Sequence, residues 1–310
     1  MKQRPIALKK GDLIGIIAPS SPPKKAQLQA SLAFLDKLGL RYVFGGAVNE
    51  VNGYLAGSDE ERLADLHTMF ADPAIKGIIC ACGGYGAARF TDAIDFELLA
   101  KNPKILWGYS DITFLHNAIG NNSNLVTFHG PMLASDVAEE SFQSSSALQF
   151  QQLFEPTILQ YDLNFGPIKT RVGGQVTAEV VGGNLSLIAN GIGTPFQLDV
   201  AGKILLIEDV GEEPYRVDCM LNQLRQAGML DQLTGVIIGD FSEAQPKKQQ
   251  ETLELDDVFS HYFSPLHIPV VSEVKIGHCQ PHFAIPLGVE ATIDADEPKI
   301  TFQAGVRKGD

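Results

Sequence analysis

Two rhythms of hydrophobic and polar positions alternate along the chain. Short apolar runs, each the length of a buried strand, occur at residues 13–18, 41–44, 76–82, 104–107 and 125–128. Between them apolar residues recur at helical spacing. Leu28, Leu32, Leu35 and Leu38 end at Gly39, and Leu63, Leu66, Met69 and Phe70 follow the polar start Ser58-Asp59-Glu60-Glu61. Strands alternating with helices predict βαβ units and a parallel sheet covered on both faces. After residue 139 the pattern weakens into a Ser- and Gln-rich stretch with Pro156, which reads as a surface helix and a linker over 141–170. The second half is richer in β signals. Residues 173–181, 203–207, 235–241 and 269–276 read as strands, 185–189, 215–227 and 256–263 as helices, and 289–302 as a terminal hairpin. The expected fold class is α/β: an N-terminal three-layer parallel-sheet domain over 1–140, and a smaller β-rich α/β domain over 171–310.

In such sheets ligands sit beyond the carboxyl ends of the strands. Three loops converge there: 83–86, 108–111 and 129–131. The most informative stretch is Lys104-Ile105-Leu106-Trp107-Gly108-Tyr109-Ser110-Asp111-Ile112-Thr113. It starts as a buried strand, turns at Gly108 and continues into a helix, so Ser110 falls on a strand-to-helix turn. An acyl-transfer enzyme puts its nucleophile at such a turn. The G-x-S-x-G elbow is half present, with Gly108 as its first glycine and Ile112 in place of the second.

A serine needs a base, and the base needs an orienting group. Of the seven histidines, His67 and His116 fall in helices and His261 and His267 at a helix end and loop. His129, His278 and His282 lie at strand ends or in loops, where chemistry concentrates. His278, which follows Gly277 at a strand end, is the best placed; His129 and His282 compete with it. Glu208 and Asp209 both end the 203–207 strand and are the candidate orienting acids, on opposite faces by strand alternation. Gly83-Gly84-Tyr85-Gly86 offers backbone N–H groups for an oxyanion, and the amide of Asp111 is the natural second donor. As a phosphate cradle the same turn lacks the Lys-Ser/Thr of a P-loop.

Composition narrows the function. The chain has 310 residues, 45% of them apolar and 20% charged, which is ordinary globular usage. A net charge of −13 with no basic stripe argues against a nucleic-acid partner. The basic first ten residues lead into no signal-peptide core, and the run at 13–18 is far too short to span a bilayer. The expectation is a soluble, cytoplasmic protein with no membrane partner. Four cysteines, none in a C-x-x-C pair, read as reduced structural thiols.

Several of these segments together resemble the LD-carboxypeptidase family, the serine peptidases that include muramoyltetrapeptide carboxypeptidase and the microcin C self-immunity peptidases. They are Gly11-Asp12 with Ile17-Ala18-Pro19-Ser20, the 83–86 turn, 108–113, and His129-Gly130-Pro131-Met132. In the second half they are Gly182-Gly183-Asn184-Leu185, Leu206-Ile207-Glu208-Asp209-Val210, Glu213-Pro214-Tyr215-Arg216-Val217-Asp218, Gly277-His278-Cys279 and Ile285-Pro286-Leu287-Gly288. The resemblance implies a Ser-Glu-His triad of Ser110, Glu208 and His278, with Gly84 and Asp111 as oxyanion donors. It further implies a site between the two domains, a homodimer, no cofactor and no metal. The implied substrate is a small murein tetrapeptide from which the terminal D-alanine is removed. One departure is visible: the family often has arginine before Gly-Gly-Tyr-Gly, and Cys82 stands there. Three other readings compete. One is an immunity-type peptidase acting on peptidyl or aminoacyl nucleotides. The second is a metallohydrolase using His278, Cys279 and His282, which Pro281 disfavours by breaking a helix there. The last is a two-lobed solute-binding protein, against which the missing signal peptide counts.

Overall fold

The computed structural model describes residues 2–246 and 251–309. The first half builds β1 (Leu13–Ile17), α1 (Lys25–Leu38), β2 (Arg41–Phe44), α2 (Asp59–Ala71), β3 (Ile75–Cys80), α3 (Phe96–Lys101), β4 (Ile105–Gly108), α4 (Ile112–Asn122) and β5 (Thr127–His129). Local chemistry sets several boundaries. Ser58 and Glu61 close a capping box on α2, and α1 stops at Gly39 in the left-handed conformation. Next come α5 (Ser144–Leu148), β6 (Leu159–Tyr161) and β7 (Lys169–Val172). The second half continues with β8 (Gln175–Asn184), α6 (Leu185–Gly191), β9 (Ile204–Val210), α7 (Pro214–Gln226), β10 (Gly235–Ser242), α8 (Leu255–Phe263), β11 (Val270–Ser272), β12 (Ile285–Leu287), β13 (Glu290–Asp294) and β14 (Lys299–Phe302).

These strands form two sheets, ordered β12-β5-β4-β3-β1-β2 and β6-β14-β13-β8-β9-β10-β11-β7. In the first, β2, β1, β3, β4 and β5 are parallel, as the strand–helix alternation predicts. The sixth strand is a departure. β12 comes from the second half and lies antiparallel on β5, with Ile285 opposite His129. The second sheet is mixed: β8 to β11 are parallel, and the β13–β14 hairpin is antiparallel to β8. The predicted strand over 269–276 shortens to β11 because Glu273 turns at a φ of 64°.

One apolar core joins the sheets. Ile14, Ile16, Trp107 and Phe128 of the first pack in the same buried cluster as Val180, Ile204, Leu206 and Ile293 of the second. On the outer face of the first sheet, Leu66, Phe70, Leu99 and Leu115 make a separate core with Ile78 and Leu106. Beyond the second sheet, Leu205 and Ile207 pack with Leu185, Val217, Leu221 and Phe263. β9 is therefore buried on both sides, and its alternate residues belong to different cores. The segment from β11 to β12 runs from one sheet to the other, carrying 277–284 across the junction.

Candidate active site

Ser110 stands two residues beyond β4 with a φ of 62°, in the left-handed region a serine seldom adopts. The turn is closed by the start of α4, where the Thr113 amide donates to the Ser110 carbonyl at 2.9 Å. Thr113 Oγ1 in turn accepts from the Asn184 amide at 3.0 Å, tying α4 to the end of β8. Gly83 lies against the serine: a methyl on it would stand 3.2 Å from Ser110 Oγ. Gly84 follows with a φ of 113°, and Ser21 holds this turn by donating its amide to the Gly83 carbonyl and accepting the Tyr85 amide on its hydroxyl.

His278 faces that serine. Its Nε2 is 3.2 Å from Ser110 Oγ, and its Nδ1 is 2.7 Å from Glu208 Oε2. The structure thus brings Ser110, His278 and Glu208 into one hydrogen-bonded row. Gly277 makes the approach possible, because a methyl there would lie 2.6 Å from Glu208 Oε2 and its φ is 119°. Ser242 Oγ donates to the His278 carbonyl at 2.8 Å and anchors the loop to β10.

Glu208 is completely buried. Burial by itself would raise its pKa, but the imidazoles of His278 and His129 overcome that and hold the carboxyl well below its ordinary range. For His278 burial favours the neutral ring, and the Glu208 carboxylate reverses this, so its pKa is raised. Asp209 takes the other face of β9, as alternation predicts. Its carboxylate accepts from Asn184 Nδ2, from the Ser186 amide and from Ser186 Oγ, at 2.8–3.1 Å, and so fixes the start of α6. It is away from the row.

Asp111 also braces the site. Its buried carboxylate accepts from Ser20 Oγ at 2.6 Å and from the Ala87 amide at 2.8 Å, while burial raises its pKa. Cys82 donates its thiol to the Ser21 carbonyl at 3.2 Å, and burial pushes that thiol up to about 12. Among the described residues no group of three or more His, Cys, Asp or Glu side chains is arranged to hold a metal ion.

Comparison with known proteins identifies the family. The profile of the LD-carboxypeptidase N-terminal domain matches residues 14–130, and that of the LD-carboxypeptidase C-terminal domain matches 177–293. The chain belongs to the LD-carboxypeptidase family. It is 46% identical over 309 residues to a probable murein peptide carboxypeptidase of Bacillus subtilis (strain 168), covering 100% of this chain and 97% of that one. Among solved structures, muramoyltetrapeptide carboxypeptidase from Oxalobacter formigenes superposes with a TM-score of 0.85 at 29% identity, over 96% of this chain and 100% of that one. An MccF-like protein from Bacillus anthracis str. Ames superposes at 0.86 and 27% identity, over 97% and 99%. Membership of the LD-carboxypeptidase family makes the chain a serine-type carboxypeptidase, a hydrolase.

Three supports of the site have roles that the sequence did not reveal, although His129 was among its candidate bases. Arg62 is fully buried and donates through Nη1 to the carbonyls of Pro19 and Gly86, at 2.7 and 2.8 Å, with Asp59 as its ion-pair partner. It therefore braces the glycine turn from α2. The signal was a charge on an apolar stripe, since Arg62, Leu66 and Phe70 are spaced i, i+4, i+8. Tyr109 packs its ring 4.8 Å from that of His278 and donates its hydroxyl to Asp136 at 2.8 Å. The third support is His129, beside Glu208. Nothing local in the sequence marks either contact. Among the described residues no helix is long and apolar enough to cross a membrane.

Proposed function

We propose that this chain removes the terminal D-alanine from murein tetrapeptides by serine catalysis. The observation that carries the reading is the row Ser110 Oγ–His278–Glu208, with contacts of 3.2 and 2.7 Å. In this mechanism His278 takes the proton of Ser110 as the hydroxyl attacks the carbonyl of the penultimate residue. Glu208 holds the imidazole by Nδ1 and offsets its charge once protonated. The amides of Gly84 and Asp111 receive the oxyanion, each worth roughly 3–4 kcal/mol in comparable sites. His278 then protonates the leaving D-alanine amine, and water, deprotonated by the same imidazole, releases the acyl group. Named relatives that act on murein peptides support the substrate class.

Ser110→Ala tests the mechanism. Mass spectrometry of products from a murein tetrapeptide should show D-alanine release lowered by about 10⁴–10⁶-fold, with the thermal midpoint unchanged. Turnover near the wild-type rate in that variant would rule the serine mechanism out. A peptidyl or aminoacyl nucleotide is the second substrate reading; it rests on the family resemblance, which includes the microcin C self-immunity peptidases, and the likeness to the MccF-like protein fits it. Parallel assays with the tetrapeptide and an aminoacyl-sulfamoyl adenosine separate the two. A homodimer acting in the cytoplasm completes the proposal; it rests on family resemblance, and light scattering on the purified protein tests the dimer.

A further inference from the structure

His129 and His282 are completely buried beside the Ser110–His278–Glu208 row, and neither belongs to it. None of their four ring nitrogens has a hydrogen-bond partner among the described residues. Buried polar groups are normally satisfied, so such a pair calls for a reason. His282 finds one as a wall. Its ring stands 4.9 Å from that of Tyr109 and 5.4 Å from that of His129, and burial holds it neutral.

His129 is placed differently. It ends β5, between Gly108 of β4 and Ile285 of β12, so the backbone fixes where its ring goes. Its Nε2 lies 3.7 Å from Glu208 Oε1, the oxygen that His278 does not use. That oxygen is buried and has no hydrogen bond. Keeping a carboxylate ionised away from water is costly when one of its oxygens has no donor, and a nearby N–H or positive charge lowers that cost. We propose that His129 is a positioning residue for the reaction, facing Glu208 Oε1 with its Nε2–H and keeping the carboxylate charged and aligned while His278 is neutral.

The titratable groups around His129 are few. Glu208 faces it from β9, with Asp209 turned to the opposite face of that strand. His282 faces it from the crossing segment, and His278 of the same segment lies on the other oxygen of Glu208. Tyr109 stands 5.5 Å away ring to ring, with Asp136 behind it, and His116 lies on α4, bonded to the Gly108 carbonyl. Among these His278 hydrogen-bonds Glu208 Oε2, and the His129 imidazole stands 3.7 Å from Oε1. A protonated His278 supports the carboxylate by its own charge. A neutral His278 does so far less, and this is the state that must accept the serine proton. Loss of the His129 donor therefore penalises the reactive state most, and the protonated pair persists to higher pH.

The inference rests on the proposed triad, and the experiment separates the two. The variants are His129→Phe, a ring of similar shape without a donor, and His129→Gln, which keeps an N–H. The readouts are the pH profile of kcat/KM on murein tetrapeptide and, independent of substrate, the rate of Ser110 labelling by a fluorophosphonate over the same pH range. The Phe variant should lose about 10–100-fold in kcat with little change in KM, and its acidic limb should move to higher pH; the Gln variant should recover part of both. If the Phe variant does not fold, His129→Asn, whose amide stops short of Glu208, replaces it with the same expected limb shift. An acidic limb at its wild-type pH in the donor-less variant overturns the proposal, as does equal impairment of the Phe and Gln variants. Wild-type hydrolysis that survives Ser110→Ala would instead sink the triad itself.

Discussion

The ends of β4 and β9 supply the two halves of the site, and they hold their functional groups by opposite means. Both strands lie inside their sheets. At β4 the backbone does the placing: Ser110 is fixed at a φ of 62° between a buried strand and the first turn of α4. Such a conformation costs on the order of 1–3 kcal/mol and persists only where its surroundings enforce it. At β9 the strand runs on and the side chain is placed by what lies across from it. Glu208 is held between His278 on one oxygen and His129 near the other, with glycine at 277 leaving the room. The proposed nucleophile is thus a local product of residues 104–113, whereas the Glu208–His278 pair exists only where two sheets meet. Changes near Ser110 should alter reactivity without moving the pH profile. Changes around Glu208 should move it.

Glu208→Gln breaks the β9 side most severely. The amide keeps the shape but cannot offset the imidazolium, and kcat should fall by about 10⁴-fold. The sign of the pH effect follows from His278. Burial lowers its pKa, Glu208 overcomes this, and the result lies above the ordinary 6.5. In the proposed mechanism His278 works as a base when neutral, so wild-type activity should be lost as pH falls through that raised value. Without the carboxylate charge the limb moves to lower pH, opposite to the shift expected for His129→Phe. A pH–rate profile of residual activity checks it.

Two glycines sharpen the contrast. Gly277→Ala would put a methyl 2.6 Å from Glu208 Oε2 at a φ of 119°. The loop must retreat, and a displacement near 1 Å costs about 10²-fold in kcat. Gly83→Ala meets Ser110 Cβ at 3.0 Å and Oγ at 3.2 Å, contacts that ease once the serine gives by a few tenths of an ångström. Its kcat should fall by about 10-fold, with an unmoved acidic limb. Steady-state kinetics on the two purified variants decide whether the pair separates in this way.

The same division explains what could be read in the chain. Ser110 was legible because its strand, turn and helix are contiguous. Glu208 and Asp209 were legible as opposite faces because alternation is local, and Asp209 indeed turns to α6. Choosing between them, and choosing His278 over its competitors, took the family resemblance. β12 was not legible as a strand of the first sheet. It is three residues long, Pro286 sits at its centre, and its sheet partner lies more than 150 residues earlier. Proline is tolerated there because β12 is an edge strand. With that crossing hidden, the meeting of His129 and Glu208 was hidden too.

Arg62 gives the smallest expected change and tests whether the β4 side is independent of the β9 side. Its guanidinium serves the carbonyls of Pro19 and Gly86 at once, and so links the loop after β1 to the glycine turn beside Ser110. In Arg62→Lys a single ammonium on a flexible stem can serve both carbonyls only with poorer geometry. One buried carbonyl left unpaired costs about 1–3 kcal/mol, to be read as a lowered midpoint in denaturant unfolding. The Asp59 carboxylate keeps Arg89, bonded to both its oxygens at 2.9 Å, so no free charge is created there. Loosening the turn should reduce kcat by roughly 3–10-fold through the oxyanion donors. No bond of Arg62 reaches Glu208 or His278, so the acidic limb should stay at the wild-type pH. A limb that moved with this substitution would mean that the glycine turn and the buried carboxylate are coupled, and the two strand ends would have to be treated as one unit.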